Sequence, residues 1–300
     1  MDSITLGDVD VTRVEETHGP VGLTAAQFLP DMPEQVWDQH REMLVPDHLD
    51  PRNDLVQVAM QTWLVRSEGR TILIDTGVRN HKARPLVEVW DQRSSNDYLL
   101  NLGRAGVDPA QVDLVVNTHL HVDHVGWNTI WSDGAWVPTF PNAKYLMPRA
   151  DFEYWDPARN PNVVGGVNEN VFEDSIAPVW ENGQVVLWDG EHRIDSHLVL
   201  QSAPGHTPGS SVVALQSGPD RAMFVGDLVH SPVQVLEPEF NSCFCEDAAA
   251  ARVTRRRLLG WAADHRALVL PAHFSGHGAL EVATAADGFA VKAWGPFGTL

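Results

Sequence analysis

Residue types that bind metals are crowded into one short segment of this 300-residue chain. The segment contains His119, His121, Asp123 and His124. His119 and His121 are two residues apart, so their side chains point the same way in extended backbone. Asp123 and His124 follow after about one turn, where we expect a helix to begin. Imidazole and carboxylate groups bind zinc and similar ions, so this spacing predicts a metal centre.

Three further candidate ligands lie at the ends of strand-like runs. His206 stands within a Gly-His-Thr-Pro-Gly stretch, Asp227 ends the run 222–226, and His273 ends the run 269–272. Taken singly, each of them is more often an ordinary core, turn or cap residue. Taken with the first segment, they supply three imidazoles for one zinc-like ion and two imidazoles with a carboxylate for a second. An aspartate can bridge two such ions.

Two ions about 3.5–4 Å apart can share a hydroxide, lower its pKa and polarise a carbonyl or phosphoryl oxygen. The reaction then needs no protein nucleophile, and the sequence has no Gly-x-Ser-x-Gly motif. Asp123 is a candidate for moving the released proton. His230 either donates a hydrogen bond to a leaving group or a developing oxyanion, or forms part of the pocket wall. The sequence leaves both roles of His230 open.

Short β-branched runs alternate irregularly with helical stretches, which predicts a mixed α/β fold. The strand-like runs are 4–14, 56–65, 71–75, 112–118, 184–188, 197–203, 211–215, 222–226 and 267–270. The helical stretches are 94–105, 171–180 and 246–265. The first strands follow one another closely, which favours hairpins over a purely parallel sheet.

No flexible linker divides the chain, so we expect residues 1–300 to form one domain. Segments 18–55 and 127–170 are rich in Pro, Asp, Asn and Trp, which predicts long loops or short helices that serve as lids or substrate walls. Several tryptophans fall in or near these segments. They favour a small, neutral and partly apolar substrate.

Composition excludes several partners. The formal net charge of −19 repels phosphate backbones, so we expect no nucleic acid as substrate or partner. The arginine cluster at 252–257 is predicted to form salt bridges on a solvated helix face. Cys243 and Cys245 are too few for a disulfide framework and are expected to be free thiols. No signal peptide or membrane span is evident, so we expect a cytoplasmic protein. A homodimer remains an open alternative.

The combined motifs resemble the metallo-β-lactamase superfamily. The match comprises His-x-His-x-Asp-His, Gly-His-Thr-Pro-Gly, Gly-Asp, a late Pro-Ala-His, and the early run Ile-Leu-Ile-Asp-Thr-Gly at 72–77. The resemblance covers 71–274. It implies an αββα sandwich, in which two mixed sheets carry helices on their outer faces and the site lies at one edge of the sheets.

The resemblance also implies a role for each site residue. His119, His121 and His206 would bind the first of two divalent ions, and Asp123, His124 and His273 the second. Asp227 would bridge the two ions, and Asp75 would orient a ligand histidine. Zinc is the expected metal, with iron, manganese and cobalt as alternatives.

Within the superfamily, the chain is most similar to lactonases, arylesterases and organophosphate hydrolases. The run 225–230 resembles the methyl parathion hydrolase type. Acyl-homoserine lactonases usually carry a tyrosine where this chain has His230, and the frequent Gly-Gly after the histidine motif is Gly126-Trp127 here. Both departures weaken the specific resemblance to acyl-homoserine lactonases. The expected reaction is hydrolysis of an ester, a lactone or a phosphotriester.

Two alternatives share the fold but not the reaction. An iron-dependent oxidoreductase of the persulfide dioxygenase type would carry fewer metal ligands than this chain. A glyoxalase II-like thioesterase would carry a basic C-terminal tail, whereas residues 290–300 contain one basic residue, Lys292. The full set of candidate ligands therefore favours hydrolysis over redox chemistry, and the C-terminal residues disfavour the thioesterase.

Overall fold

Strand residues of this protein alternate between two apolar environments, as the two-residue period of a β-strand requires. Ile72 and Ile74 pack in a layer between two sheets, whereas Leu73 packs in a separate outer layer. The structure, a computed structural model, describes residues 3–95, 97–163, 166–286 and 288–297. Two mixed sheets with helices on both outer faces confirm the predicted αββα sandwich.

The first sheet begins as an antiparallel meander and continues with parallel strands. Its strands in the described residues are Ser3–Leu6 (β1), Val9–Thr24 (β2), Leu55–Ser67 (β3), Arg70–Ile74 (β4), Leu114–Val116 (β5), Lys144–Pro148 (β8) and Val185–Trp188 (β9). They lie in the order β1-β2-β3-β4-β5-β8-β9. The pairs β4–β5, β5–β8 and β8–β9 are parallel. The expected hairpins at the start of the chain are confirmed.

The second sheet follows the chain order. Over the described ranges, its strands are Glu191–Arg193 (β10), Leu198–Ser202 (β11), Ser211–Ser217 (β12), Asp220–Gly226 (β13), Leu268–Pro271 (β14), Leu280–Ala285 (β15) and Gly288–Trp294 (β16). Strands β13 and β14 are parallel and the other neighbours are antiparallel. Because β5, β13 and β14 are all central, the segments that follow them can meet at one edge of the sandwich.

Helices pack on the outer faces of both sheets. The α-helices of the described chain are Ala25–Phe28 (α1), Glu34–Leu44 (α2), Asp97–Arg104 (α3), Arg149–Trp155 (α4), Ala177–Glu181 (α5), Val233–Leu236 (α6) and Ala248–His265 (α7). Tyr98 and Leu102 of α3 pack against the first sheet, and Leu258 and Leu259 of α7 pack against the second. Among the described residues, no helix is both long and apolar enough to cross a membrane.

Both segments that we expected to be long loops or short helices contain helices, and both also contain strands that we did not expect. Within 18–55, β2 continues to Thr24 because its backbone stays paired with β3, and α1 and α2 follow. Segment 127–170 contains β8, helix α4 and a separate hairpin, which is formed by Thr129–Ser132 (β6) and Ala135–Pro138 (β7). The polar, proline-rich composition did not indicate these strands, because they form by pairing with other strands.

Arg255 corrects the expectation of a solvated arginine face. Its side chain is buried, and its guanidinium donates to the carbonyl oxygens of Leu228, Pro238 and Phe240 and to Asn241 Oδ1. The arginine therefore ties α7 to the segment that follows Asp227. Its neighbour Arg256 forms an exposed ion pair with Glu239, as expected for a solvated face.

We predict that Arg255→Ala lowers the free energy of unfolding by about 3 kcal/mol, because it leaves several buried carbonyl acceptors without a donor. The matched change Arg256→Ala should cost less than about 1 kcal/mol, because it removes an exposed ion pair. Urea unfolding of both variants measures the difference. Equal losses would contradict a structural role for the buried guanidinium.

Candidate metal centre

The segment after β5 is shaped by backbone pairing with the segment after β4. Thr76 N donates to His124 O at 2.8 Å, and Gly126 N donates to Gly77 O at 2.7 Å. A Cβ at Gly126 would lie 2.2 Å from the Val78 backbone, so only glycine allows this approach. No α-helix begins at Asp123, contrary to our expectation. A tight turn and a short 3₁₀ turn at Gly126–Asn128 take its place, because these backbone groups bond to the β4 loop.

The first cluster of candidate ligands joins His119, His121 and His206 with Asp227, all buried and with their ligand atoms within 4.8 Å of one another. His121 Nδ1 lies 3.1 Å from His119 Nε2 and 2.9 Å from His206 Nε2. Three nitrogens from two distant segments thus converge on one point. Three nitrogen donors with a carboxylate oxygen suit a tetrahedral zinc-like ion.

The second cluster joins Asp123, His124 and His273, and Asp227 lies between the two clusters. Asp227 Oδ2 is 3.2 Å from His206 Nε2 in the first cluster. Asp227 Oδ1 is 3.2 Å from His124 Nε2 and 3.0 Å from His273 Nε2 in the second. The two oxygens of one carboxylate therefore face different clusters, which is the arrangement that a bridging ligand needs.

The outer nitrogens of four of these histidines contact groups that fix their rings. His124 Nδ1 lies 2.8 Å from Asp75 Oδ2, and His273 Nδ1 lies 3.0 Å from the carbonyl oxygen of Ala59. His119 Nδ1 contacts Thr118 Oγ1 at 3.1 Å, and His206 Nδ1 contacts Cys245 Sγ at 3.7 Å. Such contacts select the tautomer that directs the other nitrogen at a metal.

Asp75 connects β4 with the histidine segment. Its Oδ1 accepts from Thr118 N and its Oδ2 from Thr118 Oγ1, both at 2.8 Å. Gly226, directly before Asp227, has a positive φ of 49°, and a Cβ there would lie 2.6 Å from Thr118 Oγ1. Glycine therefore lets β13 end against Thr118, which brings Asp227 to the histidines.

Burial and charge oppose each other at this centre. Burial, followed by neighbouring imidazoles, lowers the pKa of His119 and His121 well below the ordinary value. Burial also disfavours charge on His124 and His206, but the neighbouring groups together raise both pKa values: Asp227 with Asp75 and Asp123 at His124, and Asp227 with Cys245 at His206, whose pKa rises to about 9. Protons and metal ions compete for these nitrogens, so metal binding here releases protons.

A further observation supports a fit between these residues and a pair of metal ions. His124 Nε2 and Asp227 Oδ1 are both buried. Although they lie 3.2 Å apart, neither has a partner in hydrogen-bond geometry among the residues that the structure describes. Buried polar atoms without partners are rare and usually mark an ion or a functional group that they bind. Imidazole nitrogen and carboxylate oxygen together suit zinc and similar divalent ions.

His230 lies beside the first cluster at the wall of a cavity. Its Nε2 is 3.1 Å from Asp227 Oδ2, and its ring packs edge-on against Phe28 at a centroid distance of 5.7 Å. Burial lowers the pKa of His230 to about 4, so the ring is neutral at neutral pH and carries one N–H.

The cavity in front of both clusters is open to solvent, spans about 410 Å³ including that open space, and is mainly apolar. Its polar end is formed by His121, Asp123, Asp227, His230 and His273. The remaining lining residues are apolar: Val21, Phe28, Val58, Met60, Trp90, Val122, Val167 and Phe244.

A second cavity of about 720 Å³ adjoins the first and shares four lining residues with it: Val21, Trp90, Val167 and Phe244. The exposed side chains of Leu86 and Val89 line its outer part. Together the two cavities form an apolar groove that leads from the clusters towards the surface.

Sequence reasoning missed several residues that support the clusters. Thr118 and Cys245 contact the outer nitrogens of His119 and His206, and the buried Asp151 contacts the segments that carry three of the histidines. Thr118 adjoins the motif, which was a usable signal. Asp151 and Cys245 had none, because they are remote from the motif in sequence.

Comparison with known proteins agrees with this geometry. The profile of the metallo-β-lactamase superfamily matches residues 59–273. An N-acyl homoserine lactonase from a Bacillus species is 25% identical over 179 residues, covering 55% of this chain and 63% of that protein. The lactonase AttM from Azorhizobium caulinodans is 29% identical over 160 residues, covering 50% of this chain and 55% of that protein. The chain thus spans less than two thirds of the length of these relatives.

Solved structures match over nearly the whole chain. The hydrolase AbOPH of the β-lactamase superfamily has a TM-score of 0.77 and 26% identity, covering 98% of this chain and 96% of its own. The dizinc quorum-quenching lactonase AidC has a TM-score of 0.74 and 22% identity, covering 100% and 98%. At that identity, AidC supports the fold alone. From the profile match and the arrangement of the two clusters, the chain belongs to the metallo-β-lactamase superfamily.

Proposed function

We propose that this chain is a dinuclear metallohydrolase that cleaves a neutral lactone or ester with an apolar acyl portion. The observation that carries the proposal is the Asp227 carboxylate, whose oxygens face two separate clusters of metal-binding side chains. When bound, two divalent ions, zinc in the first place, would activate water as the nucleophile and would polarise the carbonyl oxygen under attack.

Each site residue has a role in this proposal. His119, His121 and His206 would hold the first ion and Asp123, His124 and His273 the second, and Asp227, whose two oxygens face different clusters, would serve both. Asp75 fixes the ring of His124 through the 2.8 Å contact with Nδ1. Asp123 is the least buried member of the clusters, with 12% of its side chain exposed, which supports its role in passing a proton to solvent.

His230 donates its N–H to the oxygen that leaves as the carbonyl carbon is attacked. The position of His230 at the cavity wall supports this role, and its Nδ1, which has no hydrogen-bond partner among the described residues, is the nitrogen that would carry the donated N–H. A donor at this point stabilises the negative charge that develops on the leaving oxygen. The tyrosine of acyl-homoserine lactonases would supply the same kind of donor.

The apolar groove supports a substrate with an acyl chain. Curated relatives named N-acyl homoserine lactonases make this lactone class the leading candidate, although His230 and Trp127 depart from their usual pattern. A phosphotriester is a second candidate, since a shared hydroxide also attacks phosphorus and AbOPH, a superfamily hydrolase, is structurally similar. Thioester hydrolysis and iron-dependent oxygen chemistry remain the alternatives that experiment must separate.

We predict that the purified chain holds two zinc ions and loses activity when a chelator removes them. The measurement is elemental analysis together with initial rates on a γ-lactone, an acyl-homoserine lactone, an aryl ester, a phosphotriester and a glutathione thioester. His121→Ala should lower the bound metal and abolish turnover, because it removes a donor of the first cluster. His192→Ala, in edge strand β10, is the matched control.

The same panel decides among the alternatives. Turnover of the lactone that is lost in His121→Ala but kept in His192→Ala supports the proposal. Iron as the only bound metal, with oxygen uptake on a persulfide, would replace it with redox chemistry. Preferred cleavage of the thioester would favour a glyoxalase II-like enzyme.

We predict that His230→Ala lowers kcat for the lactone by about 10²-fold while two ions stay bound, because a donor to the leaving oxygen is lost. The loss should be much smaller for a nitrophenyl ester, whose leaving group needs little assistance. His230→Tyr should recover part of the lactone rate. A raised KM with unchanged kcat would instead identify His230 as part of the pocket wall.

We predict that kcat/KM of the unmodified enzyme rises with acyl-chain length by about fourfold per added methylene, until the groove is filled. Trp90→Ala should flatten this dependence, because Trp90 lines both cavities. The control is Trp131→Ala, since that tryptophan is half exposed on β6. A chain-length dependence that survives in Trp90→Ala would exclude the groove as the acyl site.

A further inference from the structure

We propose that Asp151 is a positioning residue that holds the two ligand segments of the first cluster at metal-binding separation. Asp151 lies on α4, belongs to neither ligand segment and is fully buried. One segment carries His119 and His121, and the other carries His206. The inference rests on the proposed function, since it concerns the affinity of the first of the two metal positions.

One carboxylate oxygen of Asp151 contacts both ligand segments. Asp151 Oδ2 accepts from the backbone N–H of Leu120, between His119 and His121, at 2.9 Å. The same oxygen accepts from Thr207 Oγ1, next to His206, also at 2.9 Å. A single atom therefore bonds to the two segments whose three imidazoles form the first cluster.

The other oxygen strengthens the contact to the His206 segment. Asp151 Oδ1 accepts from Gly209 N at 2.5 Å. A Cβ at Gly209 would lie 2.5 Å from Asp151 N, so glycine permits this close approach. The Thr207 hydroxyl is itself fixed by Ser210 Oγ at 2.8 Å. The Thr207 hydroxyl is thus held by Asp151 and by Ser210.

The physical consequence follows from the burial of this carboxylate. All three hydrogen-bond donors to Asp151 are neutral groups, so the charge depends on them for the stabilisation that water would otherwise provide. Separation of the two segments would leave a buried carboxylate without donors, which costs several kcal/mol. The carboxylate therefore opposes movement of His119 and His121 away from His206.

Helix α4 makes the attachment rigid and specific to the first cluster. Trp155, one turn after Asp151, packs edge-on against the ring of His121 at a centroid distance of 5.4 Å. The carbonyl oxygen of Leu120 accepts from Asn168 Nδ2 at 3.1 Å, so both backbone polar groups of Leu120 are bonded to side chains. Asp75, in contrast, contacts His124 of the second cluster directly. Asp75 also reaches His119 through Thr118 Oγ1, whereas Asp151 bonds to the segments of the first cluster.

The test measures zinc affinity with each cluster isolated. His273→Ala leaves the ligands of the first cluster complete, and His206→Ala leaves those of the second complete. We expect Asp151→Asn to weaken zinc binding about 10- to 100-fold in the His273→Ala protein, as observed for groups that support metal ligands. In the His206→Ala protein it should leave affinity unchanged. Competition with a chromogenic chelator gives both affinities.

The control is Asp195→Asn. Asp195 is another buried aspartate that accepts two backbone N–H bonds, from His197 and Leu198, but at the opposite end of β11 from the His206 segment. It should lower thermal stability without changing zinc affinity in either background. Thr207→Val removes one donor and leaves Asp151 in place, so it should weaken first-cluster binding in the same direction and serves if Asp151→Asn does not fold.

The outcomes separate the two proposals. The positioning role alone is overturned if the unmodified chain binds two zinc ions and the zinc affinity of the first cluster is unchanged in Asp151→Asn and Thr207→Val. Equal weakening of both clusters also overturns it, because a general structural defect would act in this way. An unmodified chain that binds no divalent metal overturns the proposed function and the positioning role together.

Discussion

The structure depends on one buried carboxylate being surrounded by imidazoles. Asp227 directly follows β13, and its oxygens lie 3.0–3.2 Å from nitrogens of His124, His206, His230 and His273. A charge buried in this way is tolerated only when it is paired and hydrogen-bonded, or bound to a metal. The segments after β5, β11 and β14 must therefore all reach the end of β13, and this requirement constrains the rest of the sandwich.

The two sheets satisfy that constraint because their packing does not depend on the polar residues at their edge. An apolar layer between the sheets fixes the strand ends, and outer layers fix the helices. Polar contacts then set the final positions. Asp75 joins β4 to Thr118 and His124, Asp151 joins α4 to two ligand segments, and Arg255 ties α7 to the segment after Asp227.

The groove in front of the clusters has the opposite chemistry. The overall charge is strongly negative, yet the groove in front of the clusters is lined mainly by apolar side chains. Trp90 and Phe244 continue this lining from the first cavity into the second. Apolar surface gains free energy by leaving water regardless of net charge, which is consistent with a neutral substrate whose reactive end meets the polar clusters.

The sequence by itself determined which residues can bind metals and that they lie at strand ends, because residue type and strand periodicity are local properties. The motif from His119 to His124 was complete within one segment, and family resemblance brought His206, Asp227 and His273 to it. Only the tertiary structure decided which atoms face each other, that Asp151 supports the first cluster, and that Arg255 is buried rather than solvated. In sequence, Asp151 is one acid in a short helix and Arg255 is one of several arginines. Their roles arise from packing against distant segments, and no local pattern encodes that contact.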